Sequence, residues 1–292
     1  MKKFITFIAL ALTILTACAD KNLSDEPKKV LKEPKIYEYE AKDFKFDCDF
    51  SKIDVKSVSR FSDEDLEIEF KEIRNIENSF VVNLKIKNIS DEEIYLIADD
   101  CAIDGYLNHV NYEKRLKPQE SDNARFIFYD LDLNKHMIED VSEIMISIAK
   151  VKDDNFSQFI KTDKLFINLD NEAKSELNYR DFDLIYDEND IKIYNMGFNL
   201  ENKHAPGYDY MLFIENNSDE AIFISEKDLG KVEDSSEPFY FDFYFPPMTK
   251  QISHIYFHSY DGDKAISSFE IDAYINDLDD NLIDILSFKF EK

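Results

Sequence analysis

The chain has 292 residues, 44% of them hydrophobic and 14% aromatic, enough for packed cores in about two domains, which excludes a disordered acidic chain. Its 62 Asp and Glu outnumber 35 Lys and Arg, and a net charge of -27 repels phosphate backbones and anionic headgroups, so nucleic acid is excluded as a partner. The acidity reads as a solubilising surface, with a cation or a basic protein as the alternative.

Lys2 and Lys3 precede a short apolar run, Phe4 to Leu15, and then Leu15-Thr16-Ala17-Cys18. A basic start, an apolar stretch too short to span a membrane comfortably and a small-residue cleavage site make an export signal. These four residues resemble the lipobox of bacterial lipoproteins. The resemblance implies cleavage after Ala17 and diacylation of Cys18. Two acyl chains give a stable anchor, so the expected location is the extracytoplasmic face of the cell membrane, with the membrane reached through lipid at Cys18. Residues 1–17 are then the signal peptide. Residues 18–36, polar and carrying Pro27 and Pro34, read as a flexible tether that cannot bury apolar surface.

From residue 37 the pattern is β throughout. Phe44, Phe46, Cys48 and Phe50 alternate with Lys45, Asp47 and Asp49, which predicts a strand with one wet face. Leu66, Ile68 and Phe70 repeat the alternation. Val82 to Leu96 (VNLKIKNISDEEIYL) reads as a strand, an Asx-rich turn and a second strand. Asp104-Gly105 and Lys117-Pro118 are turn signals, Leu131 to Glu139 allows one helical turn, and Ile144, Ile146 and Ile148 form a late strand. Lys164 to Leu169 closes a first module at about residue 170.

The second module, 171–292, restates the first. Tyr210 to Ile224 (YMLFIENNSDEAIFI) aligns without gaps to the first stretch, 128 positions on, and Asn88, Ser90, Asp91 and Glu92 recur as Asn216, Ser218, Asp219 and Glu220. Pro246-Pro247 answers the Pro118 turn. Two differences stand out: Asn83 and Lys85 are replaced by Met211 and Phe213. The fold expected is all-β, two tandem antiparallel Ig-like β-sandwiches. The strand–Asn-x-Ser-Asp-Glu–strand element, the Pro turn before an aromatic strand and the late Asp-Asp-Asn turn resemble the immunoglobulin-like modules found in tandem on lipid-anchored surface proteins of Gram-positive bacteria. That resemblance implies architecture and carries no catalytic residues.

Chemistry is sparse. No nucleophile elbow, zinc-protease helix, dinucleotide fingerprint or phosphate loop occurs, so no cofactor and no enzymatic activity is expected. His254 and His258 fall on a strand, where four residues span about 13 Å, too far for one metal ion. Asp130-x-Asp132-x-Asn134 and Asp277-x-Asp279-x-Asn281 begin like calcium loops but lack the Gly and Glu that complete them, which leaves only a looser calcium site. Cys48 and Cys101 form one disulfide or remain two buried thiols. The candidate binding surface is aromatic. If Pro246-Pro247 makes a simple hairpin, Tyr240, Tyr244, His254 and Tyr256 gather around Asp242 and suit a protein or glycan; the alternative is that they pack on the other module or under a covering loop. The function expected is a non-catalytic binding or spacer protein. The alternative is an envelope accessory or chaperone-like subunit that presents a sheet edge to partner proteins.

Overall fold

Period-2 alternation and frequent tight turns leave the backbone one way to satisfy its polar groups, by pairing strands. The computed structural model describes residues 29–31, 44–61, 63–77, 79–151, 159–199, 208–227, 231–232, 241–257 and 268–291. The first half contains β1 (Lys29–Leu31), β2 (Val55–Val58), β3 (Leu66–Ile76), β4 (Ser79–Asn88), β5 (Ile94–Ala98), β6 (Cys101–Ile103), β7 (Tyr106–Asn108), β8 (Glu113–Leu116) and β9 (Ser121–Phe128). A single helix α1 (Asp130–Lys135) follows, then β10 (Ile138–Asp140), β11 (Glu143–Ile146), β12 (Ile148–Val151), β13 (Phe159–Lys161) and β14 (Leu165–Leu169). The second half has β15 (Lys174–Ser175), β16 (Asp183–Glu188), β17 (Ile191–Asn199), β18 (Tyr208–Asn216), β19 (Ile222–Glu226) and β20 (Lys231–Val232). It ends with β21 (Asp242–Phe245), β22 (Thr249–Phe257), β23 (Ser268–Asn276) and β24 (Leu282–Glu291).

The fold is all-β and of sandwich type. In the first sandwich one layer is β3-β4-β9. The facing layer is built from β5 running into β6, β11 into β12 and β13 into β14, split into two ladders at Asp99-Asp100 and Ser147. Phe80, Leu84, Ile86, Leu96, Phe126 and Phe128 fill the space between, all at most 1% exposed. In the second sandwich β16-β17-β18-β22 faces β21-β19-β23-β24 around Tyr210, Leu212, Ile214, Ile224, Phe269 and Phe288.

The twin stretches form twin corners. In the first, Asn88 is fully buried, and its Nδ2 donates to the carbonyls of Glu92 (2.7 Å) and Leu116 (3.0 Å) while its Oδ1 accepts from the Ser90 amide and hydroxyl. In the second, Asn216 Nδ2 donates to Glu220 O (2.8 Å) and Pro246 O (3.0 Å), and its Oδ1 accepts from the Ser218 amide and hydroxyl. Each Asn ties a corner to the end of a third strand, so its side chain supplies bonds the backbone lacks where it turns. The proline turns correspond too: Gln119 and Met248 both have positive φ, 62° and 57°.

Two expectations fail locally. Residues 44–49 form no strand. The alternation survives, with Phe46, Cys48 and Phe50 buried against Phe80, but side-chain amides replace the ladder: Asn134 Oδ1 accepts from the Phe46 amide, and Asn75 bonds both the Phe50 amide and the Cys48 carbonyl. The tether reading of 18–36 is also corrected at Lys29–Leu31, which pair in parallel with Phe288–Phe290 as β1 on the edge of β24. An uncovered edge presents a row of free amides and carbonyls, and a short extended segment of this chain takes them up.

Candidate functional site

The aromatic strip does not assemble. β21 pairs with β19 in one sheet, whereas β22 pairs with β18 in the opposite sheet, so Pro246-Pro247 is a corner between layers and not a hairpin. Asp242 is exposed on the first of these sheets; His254 and Tyr256 lie on the other, their rings stacked at 5.8 Å. Tyr240 lies outside the described residues, as do His258, Ala17 and Cys18. Tyr244 turns toward the first sandwich. Its hydroxyl lies 2.6 Å from Lys161 Nζ and 3.1 Å from Asp100 Oδ2, and Lys161 also meets Asp100 and Asp99. Burial works against the Lys161 charge, but Asp100, Tyr244 and Asp99 outweigh it and its pKa is raised.

The outer face of β17-β18-β22 is used elsewhere. Met211 and Phe213 are fully buried, and with Tyr194, Met196 and Ile252 they belong to the core of the first sandwich. The Phe213 ring stacks on Tyr179 at 4.3 Å and lies 6.2 Å from Tyr106. The backbone continues across the same seam: β22 runs parallel to β7 at Lys250↔Tyr106, and the Lys250 amide donates to Gly105 O at 2.9 Å. One nine-stranded sheet, β16-β17-β18-β22-β7-β6-β11-β14-β2, therefore passes through both sandwiches.

A cleft of about 400 Å³ opens beside this bridge, lined by Asp104, Tyr106, Lys174, Tyr179, Arg180 and Lys250 among others. Lys250 Nζ sits 4.1 Å from the centre of the Tyr106 ring and 6.0 Å from that of Tyr179, and Arg180 lies 5.8 Å from Tyr179. Burial lowers the Lys250 pKa, partly offset by Glu215 and Asp104. Among the described residues no carboxylate comes within ion-pair distance of Lys250 Nζ, whereas Lys174 is paired with Glu139. Asp104 is committed to the β10–β11 turn: it accepts from Ser142 Oγ (2.6 Å) and the Glu143 amide (2.8 Å). The turn that places it, Asp104-Gly105, has φ of 49° and 79°, the left-handed pair of a tight hairpin. Sequence reasoning found that turn but not the cleft, whose cations come from two segments far apart in the chain, 174–180 and Lys250.

The remaining candidates resolve into structural roles. Cys48 and Cys101 are two buried free thiols, so the disulfide alternative falls; burial pushes them up to about 11 and about 12. In the two calcium-like fragments, Asp277 caps its own turn through the amides of Asp279 and Asn281, and Asp132 accepts from the His109 amide. Among the described residues no group of three or more His, Cys, Asp or Glu converges on a common point.

No family model matches this chain, and no curated protein does. Among solved structures it is similar to the YadV chaperone, at 12% identity and a TM-score of 0.24, over 78% of this chain and all of that one. It is similar also to the Salmonella enterica SafA pilin in complex with the SafB chaperone, at 12% identity and 0.23, over 73% of this chain and 89% of that one. A third is a protein of unknown function from Porphyromonas gingivalis W83, at 11% identity and 0.23, over 78% of this chain and all of that one.

Proposed function

We propose that this chain is a lipid-anchored protein of the extracytoplasmic membrane face that binds a partner or ligand without catalysis. The lipobox-like Leu15-Thr16-Ala17-Cys18 supports the anchor. The observation that carries the binding reading is the seam: the outer face of the second sandwich is buried on the first, so the pair is one fixed unit with a cleft at its junction. Fixed concave junctions between packed units are common ligand sites. The test is fractionation of cells expressing the full chain, with fatty-acid labelling. The wild type enters the membrane fraction with label, and Cys18→Ser carries none; unlabelled wild type in the soluble fraction defeats the anchor.

A second reading, a subunit that offers a sheet edge to partner proteins, is favoured by β1. The β24 edge already accepts an extended three-residue segment in parallel register. Val30→Pro removes an amide from that pairing, and faster hydrogen exchange along β24 is the expected result. Unchanged exchange rules this reading out.

A further inference from the structure

The cleft at the seam gathers cations in a molecule that is acidic overall, with the Glu215 carboxylate beside it on Tyr179. The chain as a whole carries -27, yet three of the four charged side chains lining this cleft are cationic: Lys174, Arg180 and Lys250, against Asp104. The charges are also unequally committed. Asp104 is held by Ser142 and Glu143, and Lys174 is held by Glu139. Lys250 and Arg180 rest on tyrosine faces, with Lys250 over Tyr106 and Arg180 beside Tyr179. A ring face attracts a cation but leaves the Lys250 N–H donors free for an acceptor, which a carboxylate partner does not, while Arg180 spends part of its fork on the Tyr179 hydroxyl and keeps the rest. Tyr179 is itself fixed by stacking on Phe213, so both platforms are anchored in the apolar seam.

A partly buried ammonium without an ion-pair partner is costly, and evolution of a core would replace it with an apolar side chain unless the charge is used. The alkyl stem here packs at the seam while the head points into the cleft. The opening, about 400 Å³, exceeds what inorganic phosphate fills and suits a molecule of roughly ten to sixteen heavy atoms. We infer that the cleft binds a small organic anion, a carboxylate or a phosphate ester, with Lys250 and Arg180 as the residues that contact its charged group. The inference rests on the non-catalytic binding reading above and gives it a site and a ligand class. A surface of strong negative charge would repel such a ligand in bulk, so capture depends on the Lys250 and Arg180 charges and weakens as salt screens them.

The test is calorimetric titration of the purified full chain with citrate, glucose 6-phosphate and, as the uncharged control, glucose. At least one of the two anions binds with a Kd at or below about 1 mM, and glucose gives no heat. Lys250→Met and Arg180→Gln each weaken binding at least tenfold, and raising salt from low to physiological strength weakens it several-fold. Arg180 is exposed, so Arg180→Gln keeps the test intact if Lys250→Met fails to fold. Silence from both anions, equal binding of glucose, or unchanged affinity in Arg180→Gln overturns the ligand class. Anion recovered chemically altered, read by proton NMR, overturns the non-catalytic reading instead.

Discussion

β4 and β18 share their inward Leu, Ile and final Asn and differ in what covers their outer faces. Inward, Leu84 and Ile86 match Leu212 and Ile214, all buried. Outward, Asn83 is half-buried and hydrogen-bonds Glu72, and Lys85 is exposed, whereas Met211 and Phe213 are fully buried against the first sandwich. Shared positions therefore specify the sandwich, and divergent positions specify how one sandwich meets the other. A sheet face has only two possible neighbours, core or surroundings, so changing two alternate residues suffices to convert a wetted face into an interface.

Exchanging the outer pair between copies breaks that comparison most strongly. Phe213→Lys places an unpaired charge where an aromatic stack stood, and we expect a loss of about 4 kcal/mol or more in chemical denaturation. The reciprocal Lys85→Phe falls on an exposed face, and its expected effect is within about 1 kcal/mol. Equal costs at the two sites would mean that the seam contributes nothing.

Acid gives a comparable effect through a single residue. His136 is 1% exposed at the seam, its Nε2 accepts from the Ile252 amide at 3.4 Å, and its ring lies 5.0 Å from that of Tyr106. Burial, with Lys135 nearby, lowers its pKa to about 3. An unfolded histidine takes up its proton near pH 6.5, and the folded one does not until far lower. Below pH 6.5 the unfolded state binds more protons, so stability falls with pH, by about 3 kcal/mol at pH 4 from this group. His136→Phe removes that part of the slope; the same slope in both proteins refutes the assignment.

The twin corners sharpen the comparison from the other side, because they should respond alike. Asn88→Ala and Asn216→Ala each strand buried carbonyls, at about 2 kcal/mol each. Costs within roughly 0.5 kcal/mol of one another would show that the two corners do the same work despite different surroundings.

Much of this architecture was legible in the chain. Strand alternation, the Asx corners, the proline turns and the Asp104-Gly105 hairpin depend on residues close in sequence, and local chemistry dictates them. The divergence at Met211 and Phe213 marked the outer face of β18 as unlike that of β4, without saying whether a partner or the other sandwich covers it. What escaped depended on pairing partners far apart. Nothing local says that β21 and β22 enter different sheets, so the strip of Asp242, Tyr244, His254 and Tyr256 looked continuous when it is divided between layers. The stretch from Phe44 to Phe50 has a strand's alternation, but its backbone is satisfied by Asn75 and Asn134, 25 and 88 positions away. The cleft draws Tyr106, Arg180 and Lys250 from separate segments, and no spacing rule connects them.

The two buried thiols set the protein's behaviour under oxidation. With pKa values of about 11 and about 12, roughly one Cys48 in ten thousand, and fewer Cys101, is thiolate at neutral pH. Thiolate is the attacking species in disulfide exchange, and here it is both scarce and shielded by packed side chains. In the folded chain these two thiols therefore exchange slowly whatever the redox poise around them. Cys48 and Cys101 report unfolding, because only an opened molecule exposes these two thiols to an alkylating reagent.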